Sequence, residues 1–173
     1  AIGNATNVSL FVATSSTVNY GTANISSASG GATISLNNVT IGKAFNLIGD
    51  AGIDNLTGSA FDDIISGGAN NDIINGGLGD DQIDGGANDD TIDGGSGNDQ
   101  LTGGNDNDTF NITSGTDTII DLSTGDILVV SSGAIANATN ISNFVATSST
   151  SNSGTANLTA GNSGSTITMT NSS

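Results

Sequence analysis

The chain of 173 residues has no cysteine, no histidine, no glutamate and no arginine, and its one cation is Lys43. Each absence closes a class of chemistry. Without Cys or His there is no disulfide, no Cys/His zinc site, no thiol nucleophile and no Ser-His-Asp triad. One Lys against a formal net charge of −16 leaves no surface for phosphates, which sets nucleic acid aside as a partner. An anionic membrane surface would repel such a chain as well. No apolar run approaches the ~18 residues that span a bilayer; the longest strongly apolar stretch is Ile127–Val130. Aromatics are scarce, five Phe and Tyr20, so any core must be thin and aliphatic. What is abundant is hard oxygen: 17 Asp, and the backbone carbonyls around 26 Gly. That donor set suits Ca²⁺.

The charge is confined to one region. Every Asp lies between Asp50 and Asp126, whereas residues 1–49 and 127–173 hold no acidic residue and are rich in Ser, Thr, Asn, Ala and Gly. The acidic centre is a repeat. Residues 49–111 fall into seven rows of nine, beginning at Gly49, Gly58, Gly67, Gly76, Gly85, Gly94 and Gly103. The sixth position of every row is Asp: Asp54, Asp63, Asp72, Asp81, Asp90, Asp99 and Asp108. The eighth is always apolar: Leu56, Ile65, Ile74, Ile83, Ile92, Leu101 and Phe110. The fourth position carries Gly52, Asn70, Gly79, Asn88, Gly97 and, in the last row, Asp106.

Each position has a physical reading. Gly at the first two places permits positive φ and a tight turn, and Asn or Asp at the fourth tolerates the left-handed region. Such a turn directs carbonyls inward, and the sixth-position Asp adds a carboxylate. Six to eight oxygens at about 2.3–2.6 Å make a Ca²⁺ site. The last three residues form a short strand whose eighth side chain points in, while Gln82, Thr91, Gln100 and Thr109 at the seventh point out. One row cannot bury its single apolar side chain, but stacked rows build a continuous spine.

These rows resemble the GGxGxDxUx nonapeptide of the RTX (repeat-in-toxin) family, a calcium-binding parallel β-helix repeat. The resemblance extends over all seven rows, 49–111, and is closest from Gly76 to Thr102. It implies an all-β fold, a calcium-stabilised parallel β-roll (β-solenoid) with two rows per turn, row n above row n+2. It implies that each ion lies between two rows, held by the Asp of one and by carbonyls of both. The expected ligand positions are the seven sixth-position Asp, together with Gly67, Gly76, Gly85, Gly94 and Gly103, and Asn70, Gly79, Asn88, Gly97 and Asp106. Seven rows so stacked would hold about five ions. Two rows depart from the pattern: Phe61 replaces the turn-forming residue of the second, and Asp50 stands where the first row should have Gly. Both put the first two sites in question.

Residues 116–128 resemble the segment that often closes an RTX block, which implies a cap over residues 112–133. Asp121 and Asp126 are candidates for one further ion there, against the plain reading of an exposed turn. The neutral flanks, 1–48 and 134–173, are related to each other. Residues 1–40 align without gaps to 134–173 at an offset of 133, with 23 of 40 positions identical. Ile34 with Leu36, and Val39 with Ile41, alternate with polar residues, which predicts β-rich flanks rather than Ser/Thr linkers. The duplication reads either as a window on a tandem array or as a chain with a flank at each end. The array is favoured because the second copy stops where the acidic block would begin again.

The functional expectation is a secreted, calcium-binding structural repeat protein of the bacterial surface: a filament, surface-layer or matrix subunit that self-associates. RTX family members typically leave the cell unfolded by type I secretion and fold in calcium-rich surroundings. The alternative is a stalk module of a large adhesin or of a secreted enzyme. Catalytic residues are not expected: there is no HExxH or GxSxG, and no two Asp are marked as an unequal acid–base pair. An ice- or sugar-binding face would need a regular TxT ladder or aromatic platforms, neither of which is present.

Overall fold

The computed structural model describes residues 4–14, 17, 19, 21, 23–146, 150–161 and 166–168. Among these the chain forms strands joined by turns, with no helix. In chain order the strands are β1 (Ala5–Val8), β2 (Leu10–Val12), β3 (Ala23–Ser27), β4 (Thr33–Ser35), β5 (Phe45–Ile48), β6 (Asn55–Thr57), β7 (Ile64–Ala69), β8 (Ile73–Asn75) and β9 (Gln82–Ala87). They continue as β10 (Thr91–Asp93), β11 (Gln100–Asn105), β12 (Thr109–Ile112), β13 (Thr116–Ile119), β14 (Ile127–Val130), β15 (Ile135–Ile141), β16 (Ser151–Asn152) and β17 (Thr155–Ala160).

The odd-numbered strands form one nine-stranded sheet and the even-numbered strands one eight-stranded sheet, each in strict order. Every pairing joins strands two apart in the chain, and those in the acidic centre are all parallel. This is an all-β parallel β-solenoid of about eight turns, each turn giving one strand to each sheet. In the centre one turn spends two rows of nine: Ile65 pairs with Ile83, Ile83 with Leu101, and Ile74 with Ile92. Row n sits over row n+2, as the repeat predicts.

The eighth-position residues Leu56 to Phe110 are all buried and run through one continuous core. Gln82, Thr91 and Gln100 at the seventh position face solvent. Ile64 and Ile73 occupy the same outward position and are exposed by 51% and 53%, so the spine is set by position rather than by hydrophobicity alone.

The flanks continue the same two sheets. Their turns are longer than two rows of nine: one turn carries Ala5 to Ile25, the next Ile25 to Leu47, and in the second flank Ala138 to Leu158. The surplus residues lie in the connections between strands. The two sequence copies adopt one geometry. Ala5 pairs with Ile25 and Val8 with Ser27 in the first; Ala138 pairs with Leu158 and Ile141 with Ala160 in the second. Asn7 and its copy Asn140 both take positive φ, 54° and 60°. The Ala13 N–H donates to the Ser35 carbonyl at 2.8 Å, and the Ala146 N–H to that of Thr168 at 2.9 Å. Ser15, Ser16, Tyr20 and residues 147–149 of the copied segments lie outside the described residues.

Residues 112–133, expected to close the roll, form a further turn. Strand β13 pairs with β11 on one side and β15 on the other, and β14 with β12 and β16. The residues that end the nonapeptide pattern keep its strand alternation, so the neighbouring turn stacks on them without a break.

Candidate metal centre

The acidic turns carry their carboxylates inside. Asp54, Asp63, Asp72, Asp81, Asp90, Asp99 and Asp108 are all buried, and so are Asp117 and Asp126, which extend the nine-residue spacing by two. With two rows per turn they divide into two stacks. One holds Asp54, Asp72, Asp90, Asp108 and Asp126; the other holds Asp63, Asp81, Asp99 and Asp117. Asp117 lies beyond the last glycine row and is not among the positions expected from the sequence. Its signals there are the spacing, nine residues after Asp108, with Gly115 at the fourth position of its row and Ile119 at the eighth.

Within a stack, the backbone N–H of each Asp donates to Oδ1 of the Asp one turn later. The distances are 2.8 Å for Asp54 to Asp72, 2.7 Å for Asp63 to Asp81 and for Asp72 to Asp90, and 2.8 Å for Asp81 to Asp99. They are 3.0 Å for Asp90 to Asp108, Asp99 to Asp117 and Asp108 to Asp126. One oxygen of each carboxylate is thereby fixed. The other is left over: Oδ2 of Asp72, Asp81, Asp90, Asp99 and Asp117 is buried with no hydrogen-bond partner. A buried carboxylate oxygen without a donor is costly, and native structures rarely keep one without a compensating group.

The surroundings of that oxygen are further oxygens. A Cβ added to Gly76 would collide with both Asp81 Oδ2 and the carbonyl oxygen of Gly94, one turn on. The same pair recurs at Gly67, with Asp72 Oδ2 and the Gly85 carbonyl, and at Gly85, with Asp90 Oδ2 and the Gly103 carbonyl. The absence of a first-position side chain thus leaves a cradle lined by a carboxylate and a carbonyl, both acceptors whenever the carboxyl is ionised. Second-position Gly77, at φ 106°, and fourth-position Asn70, Gly79, Asn88, Gly97 and Asp106, at φ 79°, 112°, 78°, 144° and 79°, hold the left-handed turn. Among the described residues no three acidic side chains converge on one point. Beside the carboxylate, the oxygens that the stacking brings to the cradle are backbone carbonyls. This set fits a hard, oxygen-seeking cation and offers nothing to a soft one.

Burial shapes the electrostatics. It is the main cause of a raised carboxyl pKa at Asp81, pushed up to about 8, at Asp90 and Asp117, to about 7, and at Asp72 and Asp108, to about 6. Neighbouring carboxylates in the same stack add to the rise, and the N–H from the preceding turn opposes it. A positive ion in the cradle reverses the cost.

Asp121 and Asp126, expected as a pair, differ in setting. Asp126 continues a stack, and its Oδ2 accepts from the Ser123 N–H at 2.7 Å. Asp121 is half-buried, and its carboxylate accepts from Gly103 N–H at 3.0 Å and Gly104 N–H at 2.8 Å, tying its turn to the one before.

Compared with known families, the chain matches the RTX calcium-binding nonapeptide repeat (4 copies) over residues 48–83 and again over 84–119. No curated protein and no solved structure matches it.

Proposed function

We propose, from the match of residues 48–119 to the RTX calcium-binding nonapeptide repeat, that the chain is a secreted structural repeat protein of the bacterial surface whose acidic turns fold on binding Ca²⁺. The observation that carries this reading is the file of buried Asp Oδ2 atoms without donors, which at Asp72, Asp81 and Asp90 face a glycine carbonyl. The sixth-position Asp from Asp72 to Asp108 are the charged ligands, and Asp117 joins them. The first-position carbonyls of Gly85, Gly94 and Gly103 complete the cradles of the turn before, and fourth-position Asn70, Gly79, Asn88, Gly97 and Asp106 shape the loop. Before binding, the centre is a highly charged, glycine-rich segment with few apolar residues, a composition that does not fold alone. Binding energy then becomes folding energy.

The role is mechanical rather than catalytic in this reading. Every buried Asp is accounted for by the repeat, and no carboxylate stands apart as an acid or base. The folded chain self-associates into a filament, a layer or a matrix through the outward Ser, Thr and Asn of the flanks, packing along strand edges. A second reading, a spacer within a longer adhesin or secreted enzyme, draws on the in-phase stacking of the two flank copies, which lets the solenoid run on unbroken.

Far-UV circular dichroism during a calcium titration, with Mg²⁺ as control and electron microscopy of the same samples, tests the proposal. The expected result is a cooperative gain of β signal with Ca²⁺ alone, accompanied by filaments or sheets. A spectrum indifferent to EGTA would overturn the calcium reading; folded but monomeric particles would overturn the self-assembly.

A further inference from the structure

The carboxylates at the margins of the acidic block differ from those in its middle. Asp63 Oδ2 accepts from the backbone N–H of Ser59 at 2.6 Å and from its hydroxyl at 2.8 Å, while Oδ1 accepts from the Phe45 N–H at 2.6 Å. Ser59 stands at the second position of its row, where the five later rows have a glycine at positive φ. It does not take positive φ, and its N–H and hydroxyl turn toward the carboxylate. At the first row the device comes from the flank. Ser27, fully buried one turn before Gly49, donates its hydroxyl to the Gly49 carbonyl and lies 3.4 Å from Asp54 Oδ2. The Ser27 hydroxyl thus occupies the place before a next-turn carbonyl that in the following coils belongs to a bare glycine, Gly49 before the Gly67 carbonyl and Gly67 before that of Gly85. At the far end of the same stack, the Ser123 N–H meets Asp126 Oδ2.

We propose that Ser59, Ser27 and Ser123 terminate the metal array: the Ser59 donors take the cation's place at Asp63, the Ser123 N–H occupies Asp126 Oδ2, the Ser27 hydroxyl occupies the Gly49 carbonyl beside Asp54, and ions bind only on the rungs between. The chemistry is direct. At Asp63 an Oδ2 that accepts two protein hydrogen bonds has its lone pairs directed at donors, and an approaching cation would meet the positive ends of N–H and O–H dipoles; at Asp54 and Asp126 one oxygen of the cradle is already spent on a protein donor. The inference rests on the calcium reading above and adds to it a rule for which carboxylates bind.

Isothermal titration calorimetry of the full chain with Ca²⁺, with circular dichroism to verify folding, tests it. D63N is expected to leave the number of bound ions unchanged, and D81N to lower it. The double variant S59G/F61G, which restores the glycines of the row, is expected to gain one ion. A D63N chain that loses an ion as D81N does, or a folded S59G/F61G chain with no added ion, overturns the proposal. Should the double variant fail to fold, D63N against D81N still decides. A wild-type chain that takes up no Ca²⁺, or whose uptake is indifferent to D81N, would instead refute the calcium reading itself.

Discussion

The neutral and acidic turns of one solenoid solve the same problem with different materials. A turn of the flank, from β3 to β5, buries Ile25, Ile34, Leu36 and Val39; a turn of the centre buries Ile83 and Ile92. Two more large aliphatic side chains amount to about 3–6 kcal/mol of extra burial. The flank also satisfies its turn carbonyls from within. Fully buried Asn19 donates its amide to the carbonyls of Ala44, at 2.7 Å, and Lys43, at 3.4 Å, and accepts from the Gly21 N–H at 3.1 Å. In the centre the corresponding interior holds carbonyls and carboxylates together, with no donor between them. An amide does in the flank what a cation is proposed to do in the centre. The lesson is that a single backbone path can be made constitutive or conditional by a few side chains at its corners.

That contrast can be broken most decisively by removing calcium. Hydrogen exchange in EGTA at neutral pH should show amides of β7 to β12 exchanging freely while those of β3 to β5 keep protection; uniform loss or uniform retention would abolish the distinction. Next in size is Ile83→Asp, which places a charge in the spine and should prevent ordering of the centre even in saturating Ca²⁺, a loss of several kcal/mol. Its control, Gln82→Asp on the outward face, should cost less than about 1 kcal/mol by thermal melting in Ca²⁺.

Acid should act on the centre alone. The buried carboxyls titrate above the 3.8 of an unfolded Asp, up to about 8 at Asp81. Between those values the folded state holds protons that the unfolded state has released, so metal-free stability is full below the lower value and is lost as pH rises through the upper. In EGTA, lowering the pH from 8 toward 4 should therefore restore β signal, and a flat response would count against buried, charged carboxylates. With Ca²⁺ present the sign reverses: protons compete for the same oxygens, and apparent affinity should fall as pH drops. The smallest effect is expected from Asn19→Ala, which strands two flank carbonyls and should lower the melting temperature by an amount worth about 1–3 kcal/mol, independent of calcium.

Much of this was legible in the sequence because the centre has a fixed period. Gly76, Asp81 and Ile83 recur at nine-residue intervals, and each recurrence names a corner, a ligand position or a spine residue. Asp117 escaped because its row lacks the glycines of the first two positions, although it keeps Gly115 at the fourth and the structure seats it directly over Asp99. The flanks were legible as strands but not as turns of the same solenoid. Their connections vary in length, so the step from Ile25 to Leu47 is longer in sequence than the step from Ile65 to Ile83, although both advance the chain by one coil. The expected cap at 112–133 misled for a related reason: a change of motif is not a change of fold when the strand alternation continues through it. Of the serines at the margins, Ser59 shows as a break in the glycine pattern of its row, whereas Ser27 carries no sequence signature, because only the stacking brings it to Asp54 from the other side of a whole coil.

Successive steps from Ala5 through Ile25, Leu47, Ile65, Ile83, Leu101 and Ile119 to Ala138 make seven turns, and Ala138 is the copy of Ala5, so one sequence period is a whole number of coils. At about 4.8 Å per coil, one period advances the solenoid by about 34 Å. A gene that gains or loses one such unit by unequal recombination alters the length of its product in steps of that size without creating a mismatched joint. In an array of such units, reach would be a heritable variable separate from shape, tuned by the number of units with the same stacking at each junction.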